Sequence, residues 1–107
     1  IVGLPTVDVV SCMSIFHHWA GKNHDLEYAD QIMIEIAKRT KRMLIFDTGQ
    51  SNENATWSEK LDFMKPSPKK WIQGYLNDLG FSQVIHLGDF DAIHISSQKR
   101  HLFLAIK

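Results

Sequence analysis

Cysteine is nearly missing from this 107-residue chain, where Cys12 stands alone. No internal disulfide is possible, as suits a reducing compartment. An excess of either charge is missing too: 12 Lys and Arg balance 12 Asp and Glu. That balance removes the electrostatic footprint that nucleic acid or an anionic membrane surface would attract. No apolar run approaches the ~20 residues that span a bilayer. The six glycines, at positions 3, 21, 49, 74, 80 and 88, are scattered, and no two form a G-x-G pair. A phosphate-cradling loop is therefore absent, and nucleotide hydrolysis has no support. Residues 1–5 carry no basic leader and are too few for a signal peptide, so the expected location is cytoplasmic. The glycosylation sequon Asn54-Ala55-Thr56 is discounted on the same ground. One domain is the natural count for this length.

What is present begins with Val7-Asp8-Val9-Val10-Ser11-Cys12-Met13, an apolar and β-branched run. It reads as a strand covered on both faces. The chain then enters a loop, Ser14-Ile15-Phe16-His17-His18-Trp19. Asn23 is a good helix cap, and Asp25 and Glu27 suit a first turn. Leu26, Ala29, Ile32, Met33, Ile36 and Ala37 recur at helical spacing. Lys38, Arg39, Lys41 and Arg42 gather at the far end, read as a solvated helix terminus rather than a phosphate site. Met43-Leu44-Ile45-Phe46 is a second strand. Two strands joined by one helix predict a parallel pair with a right-handed crossover.

Residues 51–65 form a long polar connection in which Trp57, Leu61 and Met64 share helical spacing. Ser67-Pro68 opens a second helix, with Trp71, Ile72, Tyr75, Leu76 and Leu79 on its apolar side. Gly80 ends it, and Phe81 is placed to touch Leu76. A third strand covers residues 83–87, with a turn expected at Gly88-Asp89. Residues 92–95 read as a short extended piece, and residues 101–106 as the last strand.

In this order, these residues resemble the carboxyl-terminal half of a class I, S-adenosylmethionine-dependent methyltransferase. Val7-Asp8-Val9-Val10 leading into Phe16-His17-His18-Trp19 is similar to that family's fourth strand and the loop after it. Lys41-Arg42-Met43-Leu44-Ile45-Phe46 is similar to its fifth strand. Tyr75-Leu76-Asn77-Asp78-Leu79-Gly80-Phe81 is similar to the last helix entering the sixth strand, and residues 100–107 to the antiparallel seventh. The resemblance implies a partial Rossmann-like α/β fold. It would have three layers and a mostly parallel sheet, with helices packed on it and an antiparallel last strand. The implied strand order is first, second, fourth, third. The family's first strand, its glycine-rich loop and the acid that holds the cofactor's ribose have no counterpart here.

Ligands of open α/β sheets bind beyond the carboxyl ends of the strands. By the resemblance, Ser14 and Phe16 would lie along S-adenosylmethionine. His17 or His18 would take the acceptor's proton, since an imidazole titrates near neutrality. Methyl transfer would follow only with the missing half supplied. A metal held by His17, His18, His24 and Asp25 is the rival chemistry. Their spacing matches no zinc signature, so no metal site is assigned. Cys12 reads as a core residue and Asp47 as a turn cap with Thr48 and Gly49.

The first strand would be left as a bare edge, which invites pairing with another chain. A homodimer continuing the sheet through that edge is the expected partner arrangement. The alternative function is a non-catalytic, dimeric α/β interaction module.

Overall fold

The computed structural model describes residues 5–22, 24–91 and 99–107. Its elements run β1 (Val7–Cys12), α1 (Leu26–Arg39), β2 (Thr40–Phe46), α2 (Pro68–Asp78), β3 (Gln83–Asp91) and β4 (Lys99–Ile106). A π-helical turn, His18–Lys22, follows β1, and a 3-10 segment, Ser58–Met64, precedes α2. The chain is thus an α/β domain with one four-stranded mixed sheet, ordered β1-β2-β4-β3.

β1 and β2 pair in parallel, with Val10 opposite Leu44 and Cys12 opposite Phe46. This is the βαβ unit predicted from the two apolar runs. β4 lies antiparallel between β2 and β3. Three strands therefore point one way, although only one of the three pairings is parallel. The strand order is the one implied by the resemblance.

Helix α1 starts later than predicted. Asp25 is its cap and accepts the Tyr28 N–H at 3.0 Å; Asn23 lies outside the described residues. Thr40 closes the helix and starts β2 in the same residue, its hydroxyl donating to the Ile36 carbonyl at 2.8 Å. Lys38 and Arg39 reach back to Glu35, one helical turn away, as a solvated terminus does. Ser67 caps α2 as expected, its Oγ accepting the Lys70 N–H with Pro68 following. Gly80 ends that helix with φ +105°, a conformation that favours glycine.

Alternate residues separate the two sides of the sheet. Leu44, Phe46, Phe103 and Ala105 are buried, and they join Ala29, Met33 and Ala37 of α1 and Ile72 and Leu76 of α2 in a single core. Each such large apolar side chain contributes roughly 1.5–3 kcal/mol on leaving water. Met43, Ile45, Leu104 and Ile106, on the other side, stay partly exposed. Both helices therefore cover one face, and the described residues build two layers; a second helical layer is not among them.

This corrects the reading of β1 as covered on both faces. Val7 is 41% exposed and Val9 48% exposed. β1 is an edge strand, and Val9 lies on the side where no described helix packs. Gly88-Asp89 is corrected as well: it is no turn but part of β3, at a bulge where the register slips between His86 and Gly88. The extended piece predicted for residues 92–95 lies outside the described residues. Among the described residues no helix is long and apolar enough to cross a membrane.

Candidate functional site at the carboxyl ends of β1 and β2

Parallel strands β1 and β2 end side by side, and the Asp47 N–H donates to the Cys12 carbonyl at 3.2 Å. The next residues leave the sheet together. Ser14 takes a left-handed backbone, φ +57°, a conformation that costs a non-glycine residue about 1–3 kcal/mol and gathers at functional sites. Two bonds hold it there. Its N–H donates to Asp47 Oδ1 at 2.5 Å, and its Oγ accepts from Arg100 Nη1 at 2.9 Å.

Arg100, at the start of β4, is the centre of a buried polar cluster. Its Nε donates to both oxygens of Glu53, at 3.2 and 3.0 Å, and its Nη2 donates to Glu53 Oε1 at 2.9 Å. The Glu53 carboxylate also accepts the Gln50 N–H at 2.7 Å. Gln50, fully buried, then bridges to β4. Its amide nitrogen donates to the Lys99 carbonyl and its amide oxygen accepts the His101 N–H. The loop after β2 is therefore pinned to β4 and, through Arg100, to the loop after β1. Burial pushes the Asp47 carboxyl above the usual range, and Glu53 adds to the rise. The Ser14 N–H and the Arg100 charge act against it.

His17 closes the inner wall. It is buried, and its Nδ1 accepts the Gly49 N–H at 2.9 Å. An amide can only donate, so neutral His17 carries its ring proton on Nε2. Trp57 lies against the imidazole with centroids 4.5 Å apart. The spacing Trp57, Leu61, Met64 falls not on one regular helix but on 3-10 turns kinked at Leu61, with Trp57 as the cap, and all three side chains enter the core. Gly49 is wedged under this pair. A Cβ there would stand 2.4 Å from the Trp57 ring and 2.7 Å from the His17 ring. Gly49→Ala should therefore lower stability by about 2 kcal/mol or more, as overpacking of a core does. Urea denaturation of the two proteins measures it; an unchanged midpoint would mean that the Trp57 ring moves freely.

Of the residues singled out in the sequence, Ser14 is exposed, and His18 is half-buried with its ring 4.4 Å from that of His17. Phe16 has no exposed surface; its ring packs among Phe46, Trp71 and Tyr75. His24 stacks on Tyr28, 3.8 Å between centroids, and among the described residues His17, His18, His24 and Asp25 do not form a ligand set. Gln50, Glu53 and Arg100 were missed. Glu53 and Arg100 stand 47 residues apart, and no local pattern pairs them.

The arrangement is a rigid polar floor under a small exposed loop, in which Met13 and Ile15 flank Ser14 at 42% and 39% exposure. It offers a surface on which a ligand or another chain can be oriented. No family profile and no curated protein matches the chain. Its fold is similar to part of a solved structure, described as WbdD with its C-terminal bundle ordered to residue 505. The superposition has a TM-score of 0.69 at 20% identity and covers 96% of this chain and 19% of that one. The chain spans about a fifth of that neighbour's length, and the likeness is one of fold.

Proposed function

We propose that this chain is the carboxyl-terminal portion of a methyltransferase-like domain, one that binds S-adenosylmethionine and transfers its methyl group only when the amino-terminal portion is present. The observation that carries the reading is a sheet that the described residues clad on one side only. Met43, Ile45, Leu104 and Ile106 are partly bare on the side without a described helix, and Val7 and Val9 are exposed at the β1 edge. Further strands beside β1 and helices over the bare side would complete a three-layer, Rossmann-like domain. The strand order with its reversed β4 supports the reading, and so does the strained Ser14 at the position where the resemblance expects a cofactor contact.

In this reading the Ser14 loop lies along the cofactor. Phe16 holds the loop down from inside the core, so its contribution to cofactor binding is to fix the backbone around Ser14. His17 supports Gly49, and His18, the more exposed of the two histidines, faces the acceptor's proton. The reaction itself moves a methyl group from the sulfonium of the cofactor to a nucleophilic atom of the acceptor, whose proton leaves to a base.

The alternative, a dimeric module without catalysis, rests on the same bare edge. One comparison separates the two. The 107-residue chain, and a version extended through the reading frame upstream of Ile1, are titrated calorimetrically with S-adenosylmethionine. The expected result is no heat for the short chain at millimolar cofactor and saturable binding for the extended one. No binding by either, with a dimer in sedimentation that Val9→Lys dissociates, would overturn the methyltransferase reading in favour of the module.

A further inference from the structure

One residue beyond Arg100, the β3–β4 hairpin carries a second cluster. His86, Asp89 and His101 bring one ligand atom each to within 4.8 Å of one another. Both imidazoles aim at the same oxygen. His86 Nε2 lies 2.8 Å and His101 Nδ1 2.5 Å from Asp89 Oδ1. We infer that these three side chains form a binding site for a late first-row divalent cation of the zinc type, with a remaining coordination position open to solvent.

The bulge in β3 creates the cluster. Residues three apart on a regular strand point to opposite faces. Here His86 pairs with Phe103 and Asp89 with His101, while Gly88, at φ +159°, pairs with Leu102. Leu87 is the extra residue, and it stands 51% exposed. The inserted residue returns Asp89 to the face of His86, and His101 arrives on that face as the direct cross-strand partner of Asp89. The three ligands thus sit on two paired strands rather than on a free loop. The Phe103 ring backs both imidazoles, at 5.3 Å from His86 and 6.4 Å from His101.

The donor set selects the metal class. Two imidazole nitrogens and one carboxylate oxygen suit zinc, cobalt and nickel, and suit magnesium and calcium poorly. Metal bonds of about 2.0–2.2 Å place tetrahedral ligand atoms roughly 3.3 Å apart. The present spacings bracket that value, so closure on an ion needs side-chain movements of roughly 1.5 Å or less and no backbone change. As the ion takes the place of the hydrogen bonds to Asp89, each neutral ring carries its proton on the nitrogen turned away from the metal, Nδ1 of His86 and Nε2 of His101. Side-chain exposures of 22%, 39% and 19% for His86, Asp89 and His101 give the ion a way in. The nearby Lys99 pairs with Asp91.

The test uses the whole chain without a histidine tag. Calorimetry with zinc chloride should give one ion per chain. His86→Ala, Asp89→Asn and His101→Ala should each weaken binding about 10–100-fold, and the double histidine variant should abolish it. His24→Ala should leave it unchanged. On the unaltered protein, cobalt chloride should broaden the imidazole resonances of His86 and His101 before those of any other histidine. No zinc heat, or zinc binding that survives loss of both His86 and His101, would overturn the site. First broadening at His17, His18 or His24 would do the same, and that reading needs no variant to fold.

Discussion

Glu53→Ala should cost about 3–5 kcal/mol of stability, because it takes from the buried Arg100 guanidinium the carboxylate it is hydrogen-bonded to and leaves only the longer-range charge of Asp47. The side chains are 5% exposed for Arg100 and 0% for Glu53, so water cannot take over the lost partner. A domain of this size has a total stability of about 5–15 kcal/mol, so this one change consumes a large share. The damage also spreads. The Gln50 N–H loses its acceptor at 2.7 Å, and Arg100 no longer sits fixed above Ser14 Oγ. Urea unfolding followed by circular dichroism measures the loss. The double variant Glu53→Leu with Arg100→Met should regain part of it, since apolar replacement of a buried pair is often close to neutral. Recovery stays incomplete because the Gln50 N–H loses its Glu53 acceptor and Ser14 Oγ its Arg100 donor. A loss below about 1 kcal/mol in Glu53→Ala would mean that the pair behaves as a surface salt bridge.

Cys12 should be nearly inert in the folded protein. Burial, and next the charge of Asp47, push its thiol up to about 12. At pH 8 the thiolate population of such a group falls about a thousandfold below that of an ordinary cysteine, whose pKa is roughly 8.5. Alkylation by iodoacetamide at pH 8 should therefore be slower than that of the urea-unfolded chain by about a thousandfold or more. The residual rate should follow the fraction of molecules in which the end of β1 opens, rising with denaturant before global unfolding if that end is the first to loosen. Labelling of the native protein within tenfold of the unfolded rate would show that the carboxyl end of β1 is not packed as described.

The parts of this fold that were legible in the sequence are those set by neighbouring residues. Ser67-Pro68 announces a helix start because the hydroxyl and the ring act within one turn, and the structure begins α2 there. The two apolar runs around Val9 and Ile45, separated by a helical period, predict a parallel pair, and that pair is present. The helical spacing of Trp57, Leu61 and Met64 was only partly right, since the segment folds as 3-10 turns kinked at Leu61. The failures have a different character. Val7 and Val9 are β-branched whether or not anything covers them, so an apolar run alone misjudged their exposure. Gly88-Asp89 has the composition of a turn, and only pairing with Leu102 and His101 turns it into a bulge. The polar cluster is the extreme case. Arg100 and Glu53 meet because β4 is inserted beside β2, a fact of topology that no window of sequence contains. In the β3–β4 hairpin His101 comes opposite Asp89 only through the bulge at Leu87, which the composition of Gly88-Asp89 conceals.

The insertion of β4 has a consequence for how the molecule is made. β4 is synthesised after both β2 and β3, yet it is the one that joins them. Until Ile106 has emerged from the ribosome, the β1–β2 pair and the lone β3 strand stay unlinked. A message cut short before residue 99 would yield a product with no route to closure, a natural substrate for chaperones and proteases. The clasp is made only after both of the parts it joins.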